Sequence, residues 1–146
     1  MTQNQPEEII DSPSAWVASH IKGYVESQGK VGHEWNGITT LLLTTRGRKT
    51  GKLRRTALIY GRDGDRYIVV ASTGGAPKHP AWYLNLAANP NVILQVEADV
   101  FKGRARTATV EEKPALWRMM ASIFPQYDSY QTKTKRLIPV VIIERA

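Results

Sequence analysis

From residue 38 onward, apolar and β-branched side chains come in short runs separated by turn residues, a spacing that predicts strands. The runs are "ITTLLLTT" (38–45), "RRTALIYG" (54–61), "DRYIVVAS" (65–72), "NVILQVEA" (91–98), "KGRARTAT" (102–109) and "LIPVVIIE" (137–144). Pro139 stands near the start of the last run, where a missing backbone donor costs least. Helices are expected at three places, one before this pattern and two within it. After Ser12-Pro13, the residues Val17, Ile21, Tyr24 and Val25 form one stripe that reaches about Ser27. A proline at one end and Asn89-Pro90 at the other bracket a short helix over 80–88. Thr109 and Glu112 have the spacing of a capping box, and Leu116, Met119, Met120 and Ile123 supply the apolar face behind it. The stretch "SQGKVGHEWNG" reads as loop.

These elements predict a mainly β (α+β) fold. Six antiparallel strands close, or nearly close, into a small barrel, because closure removes exposed edges. An N-terminal helix and two or three peripheral helices complete it. Residues 12–146 form one domain, with residues 1–11 expected as a flexible N-terminus; 146 residues suffice for a single core. No cysteine is present, which removes disulfides, thiolate metal sites and a cysteine nucleophile. The terminus "MTQNQPEEII" has no basic or apolar leader character, so the expected location is the cytoplasm. Trp16 and Val17 leave a second role open for the first helix, contact with a membrane surface or with an apolar substrate.

Charge changes the picture more than composition does. The net charge is +7, and "TTRGRKTGKLRRT" (44–56) alone carries +6 through Arg46, Arg48, Lys49, Lys52, Arg54 and Arg55, with no acid among them. A charge this local suggests an anion site. A phosphate loop of the P-loop type is excluded, since the glycines are one residue too close and Leu53 replaces the metal-binding hydroxyl. The Rossmann glycine pattern is absent too. Backbone amides and guanidinium forks could still converge on a phosphate or carboxylate; a solvated hairpin tip and a nucleic-acid patch are the rivals. Few aromatic residues flank the charge, and no recognition helix or RNA-binding strand motif is found, so nucleic acid is not the expected partner.

The catalytic inventory is sparse. His20, His33 and His79 are scattered, no H-E-x-x-H or clustered carboxylates suggest a metal, and no G-x-S-x-G elbow exists. An enzyme built this way would take its reactive atom from a cofactor. Two segments remain. "HPAWYLNL" (79–86) places Trp82, Tyr83 and Asn85 at a helix start, and "FPQYDSYQ" (124–131) puts Tyr127 and Tyr130 three apart, on one face if the segment is helical, which would suit a lid over an aromatic ligand or ordinary tyrosine packing.

Together "LLLTTRGRKTGKLRRTALIY", "YIVVASTGGAPKHPAWYLNLAANPNV" and "FPQYDSYQTKTKRLIPVVIIE" resemble the deazaflavin-dependent nitroreductase family, whose members use coenzyme F420. The likeness spans residues 36–146 and is looser before them. It implies a split β-barrel of the FMN-binding type and an actinobacterial oxidoreductase. It also gives the charge a partner, since the coenzyme carries a phosphodiester and an oligoglutamate tail. By this resemblance Arg48, Lys49 and Thr50 contact the phosphate and tail, and Arg54 and Arg55 extend the basic track. Thr56, Ala57, Leu58 and Ile59, then Val70, Ala71, Ser72 and Thr73, then Ala81, Trp82, Tyr83, Leu84 and Asn85 match segments lining the ring and its linker. Tyr127 and Tyr130 match tyrosines that close the substrate side of the ring.

The implied reaction is hydride transfer from C5 of the reduced deazaflavin to a small conjugated electrophile. It depends on bringing the reacting atoms within roughly 3–3.5 Å and needs no acid–base dyad. Tyr130, Tyr127, Ser72 or water is then the proton source. Three positions depart from the nitroreductase pattern: Ile59 and Phe124 where it has Tyr, and Thr73 where it has Lys, with Lys78 as a substitute cation. Fewer pocket hydroxyls weaken the case for nitro compounds and make quinones or enones, including coumarin-like lactones, at least as plausible as a nitroaromatic. An FMN- or haem-binding split barrel is the second reading. A basic module for nucleic acid or anionic membrane is the third.

Overall fold

A computed structural model describes residues 7–146. In chain order the elements are β1 (Ile9–Asp11), α1 (Ala15–Ser27), β2 (Glu34–Trp35), β3 (Ile38–Arg46), β4 (Leu53–Ile59), β5 (Gly61–Asp63) and β6 (Arg66–Val70). A 3₁₀ turn (Thr73–Gly75) leads to α2 (Ala81–Ala88), β7 (Asn91–Val96), β8 (Asp99–Thr107), α3 (Lys113–Ile123), α4 (Gln126–Thr132) and β9 (Val140–Arg145). The fold is mixed α+β.

Among the described residues nine strands are present where six were expected. They pair in the order β1-β4-β3-β7-β8-β9-β6-β5, with β2 on β3. Each expected run contains a strand, and the additions are short. β5 arises because the run 54–61 bends at Tyr60; β4 pairs with β3 before the bend, and β5 pairs with β6 after it. β2 forms a hairpin with β3 through Asn36-Gly37, both at positive φ (50° and 76°), a two-residue turn with a strong sequence signature that the loop assignment overlooked. β1 lies within the N-terminus expected to be flexible. It pairs parallel to β4, with Asp11 opposite Arg55. Residues 1–6 of that terminus lie outside the described residues. β8 begins at Asp99 rather than 102, because the turn before it uses Glu97 at φ 56° and carries no glycine signal.

Strand periodicity sorts side chains to two faces. One face collects Leu41 and Leu43, Tyr67 and Val69, Leu94, and Val141 and Ile143 into one buried cluster that includes Leu86 of α2. The other face carries Ile68, Val70, Val140 and Ile142, covered by Leu116 and Met120 of α3 and Tyr127 of α4. β9 is therefore apolar at every position from Val140 to Ile143, because both of its faces are covered. α1 packs on the same sheet through Ile21 and Tyr24 against Leu42, while Val25, expected on that stripe, is exposed. The capping box before α3 forms as anticipated, Thr109 N–H donating to Glu112 Oε1 at 2.9 Å and Glu112 N–H to Thr109 Oγ1 at 3.2 Å. Gly61 allows α3 to lie close on β5, since a Cβ there would stand 2.8 Å from the Met120 sulfur.

Candidate functional site

The β3–β4 hairpin carries the basic stretch on a tight connection. Gly47 N–H donates to Lys52 O and Gly51 N–H to Gly47 O, both at 2.7 Å. Above the hairpin, the buried Asn85 of α2 braces it. Its Oδ1 accepts from the Arg48 backbone N–H (3.2 Å) and from the Arg48 guanidinium (3.0 Å), and its Nδ2 donates to Thr45 Oγ1 (3.2 Å). Arg48 is thus aimed by α2.

Two of the six basic side chains are neutralised locally. Arg46 pairs with Glu7, and Arg55 with Asp11 at 2.6 Å, both acids lying in or beside β1. Among the described residues Arg48, Lys49, Lys52 and Arg54 pair with no carboxylate. Arg48, Lys49 and Arg54 line a cavity of about 440 Å³ together with Thr50, Arg55, Thr56, Ala81, Trp82 and Asn85. Ile10, Asp11, Ser12 and Pro13 close its far side.

A second cavity of about 530 Å³ shares Thr56 and Trp82 with the first. β4 supplies Ala57, Leu58 and Ile59; β6 and the turn after it supply Val70, Ser72, Thr73 and Gly74; Tyr127 and Tyr130 come from α4. The three positions that depart from the nitroreductase pattern, Ile59, Thr73 and Phe124, all face this chamber. Phe124, Tyr127 and Tyr130 pack as a cluster with ring centroids 5.0–6.4 Å apart. Burial pushes the Tyr127 phenol well above its ordinary range. Its hydroxyl has no protein partner, and no buried polar side-chain atom among the described residues lacks one, so that hydroxyl is accessible on a residue that lines the chamber.

Three expected lining residues face neither cavity. Ala71, just past the end of β6, is buried, its N–H donating to the Pro139 carbonyl at 3.0 Å. Leu84 and Tyr83 stand on other sides of α2, which turns Ala81, Trp82 and Asn85 toward the cavities at helical spacing. The Tyr83 hydroxyl instead hydrogen-bonds Thr107 Oγ1 at 2.8 Å, and its ring rests on His79.

Other residues were missed. Trp16, Val17 and His20 of α1 and Trp35 of β2 complete the chamber; only the apolar role left open for Trp16 and Val17 anticipated any of them. Trp16 stays 60% exposed. No helix among the described residues is long and apolar enough to cross a membrane. Arg136, which no motif signals, ties down the turn after β6: its guanidinium donates to Ser72 O (2.7 Å), Ala76 O (2.8 Å) and Ala71 O (3.2 Å) and contacts His79 Nδ1 (3.1 Å). Desolvation, reinforced by Arg136, holds His79 below its usual pKa. Gly75, at φ 83°, lets α4 close on this turn; a Cβ would stand 2.6 Å from the Tyr130 carbonyl oxygen.

Known proteins place this architecture. The family described as F420H(2)-dependent quinone reductase matches residues 16–145. The F420H(2)-dependent quinone reductase Rv1261c of Mycobacterium tuberculosis is 40% identical over 126 residues, covering 84% of this chain and 85% of that protein. A solved F420-H2 dependent reductase, FDR-A, is 44% identical over 72% of this chain and 93% of its own, with a TM-score of 0.67. A structure described as a domain-swapped dimer is 39% identical, covers 91% of this chain and all of its own, and has a TM-score of 0.70.

Proposed function

The chain belongs to the F420H(2)-dependent quinone reductase family, and on that premise we propose that it binds reduced coenzyme F420 across the two joined cavities and reduces a small quinone in the inner one. One observation carries this: a basic cavity and an apolar aromatic chamber meet at Thr56 and Trp82, the shape required by a molecule with a planar ring and an anionic tail.

Arg48, Lys49 and Thr50, with Arg54 beside them, are the residues that would hold the phosphodiester and carboxylates. Arg forks suit such groups, and Lys49 adds a mobile charge. Arg55 contributes less than its place in the basic track suggests, because Asp11 already occupies it. Thr56 to Ile59, Val70, Ser72, Thr73 and Trp82 would enclose the ring. When bound, the reduced deazaflavin supplies a hydride. The chain's own share is positioning and exclusion of water, with Tyr127, Tyr130 and Phe124 closing the chamber over an acceptor. Hydroxyl-poor walls at Ile59 and Phe124 favour a flat, weakly polar acceptor over one needing several hydrogen bonds. We also infer that the sheet is a split β-barrel. Its support is that β5, at one end of the pairing path, and β4, next to the other end, are joined through Tyr60 alone, and that all six long runs feed one buried cluster.

The test is a fluorescence titration with coenzyme F420 followed by single-turnover oxidation of the reduced coenzyme by a soluble 1,4-naphthoquinone and by a nitroimidazole. Saturable binding and faster turnover with the quinone are expected. Absence of binding, or a preference for the nitro compound, overturns the assignment.

A further inference from the structure

The chamber holds one titratable nitrogen that the positioning scheme leaves unused. His20 of α1 lines the inner chamber and also a smaller pocket of about 330 Å³ between α1 and the segment leading into β2, shared with Trp16, Ser19, Gly23, Val31, Gly32 and Trp35. It therefore stands between the chamber and this outer pocket. Trp16 stacks on its ring (centroids 5.7 Å, 26° between planes) and Tyr24 tilts against it at 6.3 Å, so the imidazole is held in one orientation.

Its hydrogen bonds decide which nitrogen is available. The Thr40 hydroxyl donates to the Gly32 carbonyl at 2.6 Å, which leaves its oxygen to accept from His20 Nε2–H at 3.2 Å. Nε2 therefore keeps its proton in both charge states, and a proton can come and go only at Nδ1. Nδ1 has no protein partner and, since no buried polar side-chain atom among the described residues is left without one, it is accessible rather than sealed in the core, on a residue that lines the chamber. The network is braced from behind, where the Tyr24 hydroxyl donates to Thr40 O (3.1 Å) and accepts from Glu97 N–H (2.8 Å).

We propose, on the quinone-reductase reading above, that His20 is the proton donor to the reduced substrate, delivering from Nδ1 into the chamber and recovering its proton from solvent through the outer pocket. The electron pair arriving with the hydride, supplied by the reduced 5-deazaflavin, forms the new bond to the quinone, and the displaced π pair settles on a quinone oxygen. The Nδ1–H bond of the imidazolium breaks and an O–H bond forms there. Substrate gains two electrons, one hydride hydrogen and one proton; His20 is left neutral and takes a proton from water. The coenzyme's two-electron oxidation balances the step.

Surrounding charge suits this role. Desolvation holds His20 below its ordinary pKa, only partly offset by the Gly32 carbonyl, so the imidazolium is a stronger acid than usual. The titratable groups facing it are Tyr24 on its own helix and His33, which packs behind Tyr24 at 6.5 Å; across the chamber are Tyr127 and Tyr130. Tyr24, pushed up to about 12 by burial, stays neutral throughout the working range.

His20→Gln keeps a donor for Thr40 and removes the titratable nitrogen. Three measurements on the full chain separate the outcomes: coenzyme affinity by fluorescence, the pH profile of kcat with a soluble 1,4-naphthoquinone, and the imidazole resonances of ¹³C,¹⁵N-histidine protein without coenzyme. Expected are unchanged coenzyme affinity, kcat lowered on the order of 10²-fold, and loss of the decline in kcat as pH rises through the His20 pKa. In the coenzyme-free protein, the corresponding naphthohydroquinone should shift the Nδ1 resonance of His20 more than those of His33 and His79. An unchanged pH profile in His20→Gln, or a His20 resonance indifferent to the hydroquinone, overturns this inference alone. A wild-type protein that binds coenzyme but reduces no quinone overturns the proposed function and the inference with it.

Discussion

Half of the basic cavity's wall comes from one stretch of chain, Gly47 to Thr56, whereas the aromatic chamber draws on α1, β2, β3, β4, β6, the turn after it, α2 and α4. The first region is organised by local hydrogen bonds across a hairpin and one brace from Asn85. The second exists only because distant elements dock: α4 on the turn at Gly75, Arg136 on the carbonyls of Ala71, Ser72 and Ala76, and α1 over β3. A wall of positive charge can thus be encoded in a short segment, while a shaped aromatic compartment requires the whole fold.

Substitutions can be chosen to strike one region and spare the other. The largest effect is expected for Arg48→Ala/Lys49→Ala. Hydrogen bonds to charged groups correspond to roughly 10- to 100-fold in affinity each, so the double variant should weaken coenzyme binding by about 10² or more in a fluorescence titration, with thermal stability lowered by no more than the lost Arg48–Asn85 side-chain bond accounts for. Equal loss of stability would show that the hairpin is structural rather than a binding wall. Gly75→Ala reverses the pattern. A side chain at φ 83°, aimed at the Tyr130 carbonyl, should cost about 2 kcal/mol, seen as a lower Tm and slower quinone reduction, with the basic cavity retaining its affinity for the tail.

Asn85→Ala tests the joint between the regions. It leaves the Thr45 hydroxyl and the Arg48 N–H without their partner, a loss of about 1–3 kcal/mol, and should reduce coenzyme affinity by less than the double variant does; denaturant melts and the same titration report both. Smallest is the effect of Tyr24→Phe on alkaline stability. The folded-state pKa of Tyr24 lies near 12, above its ordinary value of 10. Its contribution is therefore complete below pH 10 and lost as pH rises from 10 to 12. The variant should show a shallower fall of stability across that window, and an identical slope would remove Tyr24 from the account.

Legibility followed the same division. The capping box of Thr109 and Glu112 and the faces of α3 and α4 follow from spacing, since helical neighbours meet at fixed offsets. The β2–β3 hairpin was also legible, because Asn36-Gly37 is a strong turn signal, but it lay inside a glycine-rich stretch read as loop. Nothing in the chain announces Arg136, whose partners lie 57 to 65 residues away, nor the strand role of Ile9–Asp11, which takes its pairing from β4. The placement of Tyr83 and Leu84 off the site needed the orientation of α2, which periodicity alone does not supply.

What the chain determined by itself is what depends on near neighbours: strand runs, helix faces, the cluster of positive charge, and the family motifs that spell an anionic, ring-bearing cofactor. Tertiary structure decided which charges remain available, since Glu7 and Asp11 neutralise Arg46 and Arg55 from across the sheet edge. It also decided that His20, one of three scattered histidines, faces the chamber with only Nδ1 unengaged. The physical reason is range. Backbone periodicity and turn chemistry act over a few residues, whereas ion pairing, burial and the direction of a hydrogen bond depend on whatever the folded chain brings within a few ångströms.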